Sequence, residues 1–435
     1  MKRSILLYLL ISFLTSGVGQ NLYFPPVNSN QWDTIGLTEL GWCADQLPPL
    51  YDFLESSNTK AFIVLKDGKI AIEKYFGTFT QDSIWYWASA GKTLTAFMVG
   101  KAQEEGFLEI TDTSSTYLGQ GWTSLSAAQE ERITIRHQLS MTTGLDDGVT
   151  DLNCTIPSCL QYLADPGTRW SYHNAPYTLL QDVVAAATNS NFNLYLNTKL
   201  KVPTGMDGLF VPVPPYQSVY FSKPRSMARF GLLMLNNGNW NGTQVMTDVN
   251  YLNEMITPSQ TINNSYGYLW WLNGQSSFML PGIQIAFPGN LMQNAPTDVY
   301  AAMGKNGQIL NVSPSNNLIV VRMGDSPDNS FVPNLFNDTI WQKLNPIMCG
   351  TASEPSYENN NLNFYPNPTN GNLTITGIDK TGTLKLYSMD GRLLWKKFLS
   401  DANSSIQIPD RIPRGIYIIN ISSEATSISK KVILK

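Results

Sequence analysis

Strand patterns occur in two blocks far apart along this chain, and the gap between them constrains the fold more than any other feature. In the first block, 61–65 is a continuous apolar run and 70–75 alternates, with Asp67 and Gly68 between them as a hairpin turn. The second block holds 268–272, 299–303, 308–312 and 318–323, each apolar or alternating between Gly, Asn and Pro punctuation. Between the blocks, roughly 85–260 reads as helices and loops, including helical patterns at 177–187 and 226–235, and a further helix is expected around 41–55. One sheet, split in sequence by a helical insertion, satisfies this pattern. Such a sheet would place Cys43 beside Cys349. Cys154 and Cys159 bracket a small loop containing Pro157. Disulfides are expected for both pairs in an exported chain, with free buried thiols as the alternative.

Export is expected from the first residues. Met1-Lys2-Arg3 precedes an apolar run over 5–14 and then Ser16-Gly17-Val18-Gly19, the pattern of a signal peptide at 1–19. The run is too short to span a bilayer, and no later stretch reaches about 18 apolar residues, so no integral membrane segment is expected. The chain's 435 residues are too many for one ordinary domain, and 43% hydrophobic content suffices for a large core. We expect a main domain at 20–350, a polar linker at 351–362 and a second unit at 363–435. The last has short strand patterns at 373–376, 383–387, 393–397, 406–408, 416–421 and 427–434, with Asp390-Gly391 as a turn, which implies a small Ig-like β-sandwich.

A net charge of -4 without long charge runs gives no electrostatic case for nucleic acid or an anionic membrane, so a small or neutral substrate is expected. His137 and His173 are the only histidines, which argues against a multi-histidine metal site and against several independent histidine bases. No Gly-x-Ser-x-Gly elbow is present. Any nucleophilic chemistry would come from another motif.

Trp87-Ala88-Ser89-Ala90-Gly91-Lys92 supplies one. The residues after it carry Leu94, Phe97, Met98 and Ala102 at helical spacing, with Gly106 as a stop. Positions three apart share a helix face, so Ser89 and Lys92 would meet. The pair works only if burial lowers the lysine pKa until the amine takes a proton. Alone, it reads better as a serine near a helix start and a solvated lysine, so its companions have to decide. Its companions are Tyr172-His173-Asn174, between a loop and a helix, and Gly304-Lys305-Asn306-Gly307-Gln308, after a strand. A tyrosine hydroxyl near a lysine can have its pKa lowered and shuttle a proton, and an asparagine amide can orient the lysine or a substrate carbonyl. His137 reads as structural near a helix start, and His173 as a core residue with a substrate contact as the alternative. The aromatic run 266–271 reads as strand core, with one ring at the cleft as the alternative.

These three elements in this order, together with the segment from Ile133-Thr134-Ile135 to Thr143-Gly144-Leu145, resemble the serine β-lactamase and penicillin-binding-protein superfamily, especially its class C and esterase-like branch. The resemblance spans about 40–345. It implies an α/β fold of the β-lactamase/transpeptidase type: an antiparallel sheet flanked by helices plus a helical subdomain, with the active site in the groove between. It also implies acylation of Ser89, proton handling by Lys92 and Tyr172, orientation of the lysine or substrate by Asn174, and an oxyanion hole from the Ser89 N–H and a third-motif N–H. No metal or other cofactor is implied.

The third motif departs from the usual Lys-Thr-Gly. With Gly304 in register, Ala302 and Met303 replace the polar pair; with Gly307, Lys305 keeps the cation and Asn306 replaces threonine. Gly304 is the preferred register, which makes an ester or amide the expected substrate. A penicillin-recognising DD-peptidase or β-lactamase is one alternative, and a non-catalytic binding or sensor protein is another. Asn363-Phe364-Tyr365-Pro366-Asn367-Pro368, Leu386-Tyr387-Ser388-Met389-Asp390-Gly391-Arg392, Pro413-Arg414-Gly415-Ile416-Tyr417 and the terminal Lys430-Lys431-Val432-Ile433-Leu434-Lys435 resemble the type A sorting domain of the type IX secretion system. That resemblance implies the secretion machinery as a partner and a secreted or cell-surface location.

Overall fold

The hairpin at Asp67-Gly68 forms with both residues at positive φ, +52° and +83°, joining strands Thr59–Lys66 and Lys69–Tyr75. A computed structural model describes residues 22–328, 330–349, 363–376, 382–388, 393–399, 404–422 and 427–435. The expected leader, the linker at 351–362 and the Asp390-Gly391 turn lie outside the described residues.

The two blocks of strands build one antiparallel sheet. Its order is Lys69–Tyr75, Thr59–Lys66, Leu318–Gly324, Gln308–Ser313, Tyr300–Gly304, Trp271–Leu272. Val64 pairs with Val320 across the join between early and late strands. The strand expected over 268–272 is reduced to its last two residues because Leu269 takes a left-handed φ of +61°, which breaks the extended run.

Helices cover both faces. Gly231 of helix Pro224–Leu235 lets that helix approach so closely that a Cβ there would lie 2.7 Å from Leu310 and 2.8 Å from Ile319. The next strand residue, Asn311, exchanges hydrogen bonds of 2.8 and 2.7 Å with Asn337 of helix Asn334–Leu344. Successive strand residues point to opposite faces, so the two helices lie on opposite sides. Helix Lys92–Glu104 is buried along most of its length, from Lys92 to Gly100 and at Ala102. The helix expected at 177–187 is two, Asn174–Thr178 and Leu180–Thr188.

Closing the sheet in this way brings the ends of the unit together. Cys43 N–H donates to the Ile347 carbonyl at 2.8 Å, and Cys43 is disulfide-bonded to Cys349 across a separation of 306 residues. Cys154 and Cys159 form the second disulfide. Restricting the unfolded chain over so long a loop stabilises the fold by about 3–5 kcal/mol. Replacing Cys43 and Cys349 with serine should therefore lower the unfolding free energy by about that much in a denaturant titration. Coincident curves would show that the long bridge contributes nothing.

The chain divides into two compact units near residue 352. In the second, Asn363–Tyr365, Asn372–Thr376 and Ser404–Gln407 form one sheet, and Leu393–Leu399, Gly382–Ser388, Gly415–Ser422 and Ser427–Leu434 form another. Leu373, Ile375 and Ile406 from the first pack with Leu384, Leu386 and Ile419 from the second in one apolar core. This is the expected sandwich, with one strand, Asn363–Tyr365, that the apolar pattern did not reveal. Among the described residues, no helix is long and apolar enough to cross a membrane.

Candidate active site

A sharp turn presents Ser89. Trp85–Tyr86 pairs with strand Gln217–Ser222, and Trp87 then anchors the chain: its backbone N–H donates to Tyr220 O at 2.8 Å and its indole N–H to Ser222 Oγ at 2.8 Å. Ala88 turns at φ +47°, a conformation that disfavours L-residues by about 1–2 kcal/mol. The single turn Ala88–Gly91 then leads into helix Lys92–Glu104. Ser89 is thus held on a strained corner by a fully buried tryptophan.

Ser89 and Lys92 meet as the spacing requires. Lys92 Nζ lies 2.7 Å from Ser89 Oγ and donates to Asn174 Oδ1 at 2.9 Å. Lys92 is 2% exposed, and burial drives its pKa well below the ordinary lysine value. The faces of Tyr177 and Tyr172, with centroids 4.1 and 4.8 Å from Nζ, favour the ammonium form and oppose that shift. Desolvation wins, because no carboxylate contributes to the balance.

Tyr172 differs from expectation in its electrostatics. Burial raises its pKa, with the Ser89 hydroxyl pulling weakly the other way, so it is a neutral phenol near pH 7 and not a depressed one. Desolvation of the ring, stacked on Trp271 at 5.7 Å and edge-on to Tyr266 at 6.2 Å, outweighs the neighbouring amine. Tyr177, whose pKa burial pushes up to about 12, completes the aromatic box around Lys92.

The two candidate glycines of the third motif separate. A Cβ on Gly304 would lie 2.4 Å from Trp87 O and 3.0 Å from Ser89 N, so only glycine lets this strand lie against the serine turn. Gly307 faces elsewhere. At φ +75°, its missing Cβ would fall 2.6 Å from Arg322 Nη1. Arg322 is buried in the central strand, donating to Asn306 O, Gly307 O, Ser57 O, Asp325 O and Thr59 Oγ1. It braces the turn Lys305–Gly307 behind the motif.

Ser89, Lys92, Tyr172, Asn174, Tyr177 and Lys305 line one cleft of ≈ 370 Å³. Leu152, Val219, Pro281 and Phe331 make other parts of its wall apolar. Its acidic wall residue, Asp147, is paired with Arg169 at 2.7 Å, and Lys305 is exposed at the rim. His173 is buried outside the cleft wall, and burial pushes its pKa down to about 4. His137 is part of a helix cap, its Nδ1 3.1 Å from the Thr134 backbone N–H that donates to it. Sequence reasoning passed over Tyr177, Arg322 and Asn153. Of these only Arg322 left a signal, a lone charge inside an apolar strand.

The family described as Beta-lactamase matches residues 57–333, and the Secretion system C-terminal sorting domain matches 363–435. No curated protein matches. Among solved structures, "Putative 6-aminohexanoate-dimer hydrolase from Bacillus anthracis" is similar with a TM-score of 0.57 at 18% identity, covering 77% of this chain and 91% of its own. A family VIII carboxylesterase gives 0.52 at 14% identity, covering 70% and 98%. A penicillin-binding protein homolog from Caulobacter crescentus gives 0.53 at 12% identity, covering 72% and 98%. At these identities the likeness shows the fold alone.

Proposed function

The chain belongs to the beta-lactamase family and carries a type IX sorting domain that directs it to the cell surface or the medium, and from that premise we propose that it hydrolyses a small, neutral ester or amide through an acyl-enzyme on Ser89. The carrying observation is the buried amine of Lys92 within hydrogen-bond reach of both Ser89 and Asn174. A lysine that is neutral near pH 7 accepts the Ser89 proton as Oγ attacks the carbonyl carbon. The neutral Tyr172 phenol passes its proton to the departing alcohol or amine as the scissile bond breaks and takes the Ser89 proton from the Lys92 ammonium, which leaves both groups neutral again. The backbone N–H groups of Ser89 and Lys305 face the oxyanion from either side of the close contact at Gly304. Water then gives a proton to Lys92 as its oxygen attacks the acyl carbon; the bond to Ser89 Oγ breaks, and the proton returns from Lys92 to Oγ as the acid is released. That Asp147 is already paired with Arg169, in a wall with several apolar residues, favours an uncharged substrate. Solved structures of the same fold bear the names of a putative 6-aminohexanoate-dimer hydrolase and a family VIII carboxylesterase, so the fold is compatible with such a reaction.

The test is covalent labelling with a fluorophosphonate, mapped by peptide mass, beside turnover of short-chain esters, linear amides, D-amino-acid peptides and a cephalosporin. Labelling at Ser89 with ester or amide turnover is the expected result. Absence of both would leave a binding or sensor protein on this fold.

Lys305 separates the esterase-like reading from the penicillin-recognising one. Gly304 is extended at φ -126°, ψ 154°, which tolerates a following proline, and Lys305 opens the turn where proline fits. Lys305→Pro therefore removes mainly the N–H, and kcat should fall by about 10²–10³-fold. Lys305→Ala should retain most activity on a neutral ester. The reverse ranking, with cephalosporin turnover that depends on the Lys305 side chain, would assign a penicillin-recognising enzyme.

A further inference from the structure

We propose that Asp151 and Asn153 are positioning residues that set the direction of a hydrogen-bond chain ending at a Lys92 N–H, and so keep the Lys92 lone pair free; the inference rests on Ser89 being the nucleophile. Asn153 is no part of the three motifs, yet its side chain is the next partner of Asn174. Asn174 Nδ2 donates to Asn153 Oδ1 at 2.9 Å, and Asn153 Nδ2 donates to Asp151 Oδ1 at 3.0 Å. The Asn153 backbone N–H donates to the same oxygen at 2.9 Å.

The direction of this chain matters because an amide is two-faced and a neutral amine is not. Either end of Asn174 could face Lys92. With Oδ1 forward, Lys92 spends an N–H on the amide and its lone pair remains for the Ser89 proton. With Nδ2 forward, the amide donates into that lone pair and the base is occupied. Nothing local to Lys92 decides between the two. The carboxylate of Asp151 does, because an ionised carboxylate only accepts. Asn153 must present Nδ2 to it and so offers Oδ1 to Asn174; Asn174 must answer with Nδ2, which leaves Oδ1 for Lys92.

The loop that carries these two residues is fastened to the site on both sides. Ala175 N–H, next to Asn174, donates to Leu152 O at 2.9 Å. Cys154 N–H donates to Asp151 O at 3.1 Å, and Cys154 is bonded to Cys159. The short disulfide thus holds the loop in which the polarity of the base is determined. Leu152 and Asn153 also line the cleft, so the loop sits beside the substrate.

The test reads the reactivity of Ser89 without needing the natural substrate. Second-order fluorophosphonate labelling rates, and kcat and KM on whichever ester is turned over, are measured for the parent, Asn153→Ala and the exchange Asp151→Asn with Asn153→Asp. Asn153→Ala should label about tenfold more slowly or worse, with kcat falling in parallel and KM within about twofold, as for a misdirected catalytic group. The exchange moves the acceptor-only group next to Asn174 and leaves an amide to donate to it, so labelling should recover to within about threefold of the parent. Parental labelling by Asn153→Ala overturns the proposal while leaving the assignment of Ser89 intact. A slow rate in both variants, accompanied by a lowered melting temperature, assigns the pair a structural role only and overturns it too. A parent that does not label at all removes the premise and the inference with it.

Discussion

Lys92→Met should abolish fluorophosphonate labelling and lower kcat/KM by about 10²–10⁴-fold, while making the protein more stable at neutral pH. The two effects share one cause. Among the described residues no histidine stands in as a base, since His173 lies outside the cleft wall and His137 is spent in a helix cap, and the cleft carboxylate, Asp147, is paired with Arg169. Losing the amine therefore leaves Ser89 unactivated. The stability gain follows from the direction of the Lys92 pKa shift. Because the folded value lies below the unfolded one, the unfolded chain binds a proton that the folded chain gives up. The resulting destabilisation is absent above the ordinary lysine pKa, near 10.4, grows as pH falls, and levels off below the folded value. Between the two values the parent should lose about 1.4 kcal/mol of stability per pH unit of acidification, and Lys92→Met should lack that slope. Denaturant titrations from pH 6 to 10 on both proteins decide it. Equal slopes would mean that the buried amine stays protonated and cannot be the base.

Ser89→Ala should remove labelling completely and lower turnover on the order of 10³-fold or more, with the melting temperature within a degree or two of the parent. The hydroxyl lies 2.7 Å from Lys92 Nζ, and the other oxygen that the amine contacts, Asn174 Oδ1, is an amide carbonyl and no nucleophile, so it does not replace Ser89. The fold should survive because the corner is held by other groups: Trp87 through Tyr220 O and Ser222 Oγ, and Gly304 through its contact with the turn. Lys92 keeps Asn174 as a partner after the truncation. Labelling that persists in Ser89→Ala would place the nucleophile elsewhere. A large fall in melting temperature would instead show that the hydroxyl serves the fold.

Much of this protein was readable from local pattern. The Asp67-Gly68 turn needs two positive-φ residues, and few sequences supply them. The Ser89 to Lys92 spacing is a property of one turn of chain, so their contact needed no tertiary information beyond a continuing helix. Apolar periodicity announced the main-domain strands from 299 onward and those of the sandwich apart from Asn363–Tyr365, because alternation is set within each strand. It failed at 268–272, where Leu269 adopts a left-handed conformation that its own side chain does not favour.

What the sequence by itself determined was therefore the inventory: which segments pair or coil, which serine and lysine meet, and that two units follow one another. The tertiary structure decided the chemistry of those groups. A lysine pKa depends on how much water is removed around it, and that water was displaced by Tyr172 and Tyr177, which lie far from Lys92 along the chain. The same desolvation turned Tyr172 from an expected acidic phenol into a neutral one. Sequence reasoning preferred Gly304 to Gly307, and packing against Ser89 in one case and Arg322 in the other supplied the physical difference between them. Asn153 carried no local signal at all, because the direction of a hydrogen-bond chain exists only once every member has been brought into place.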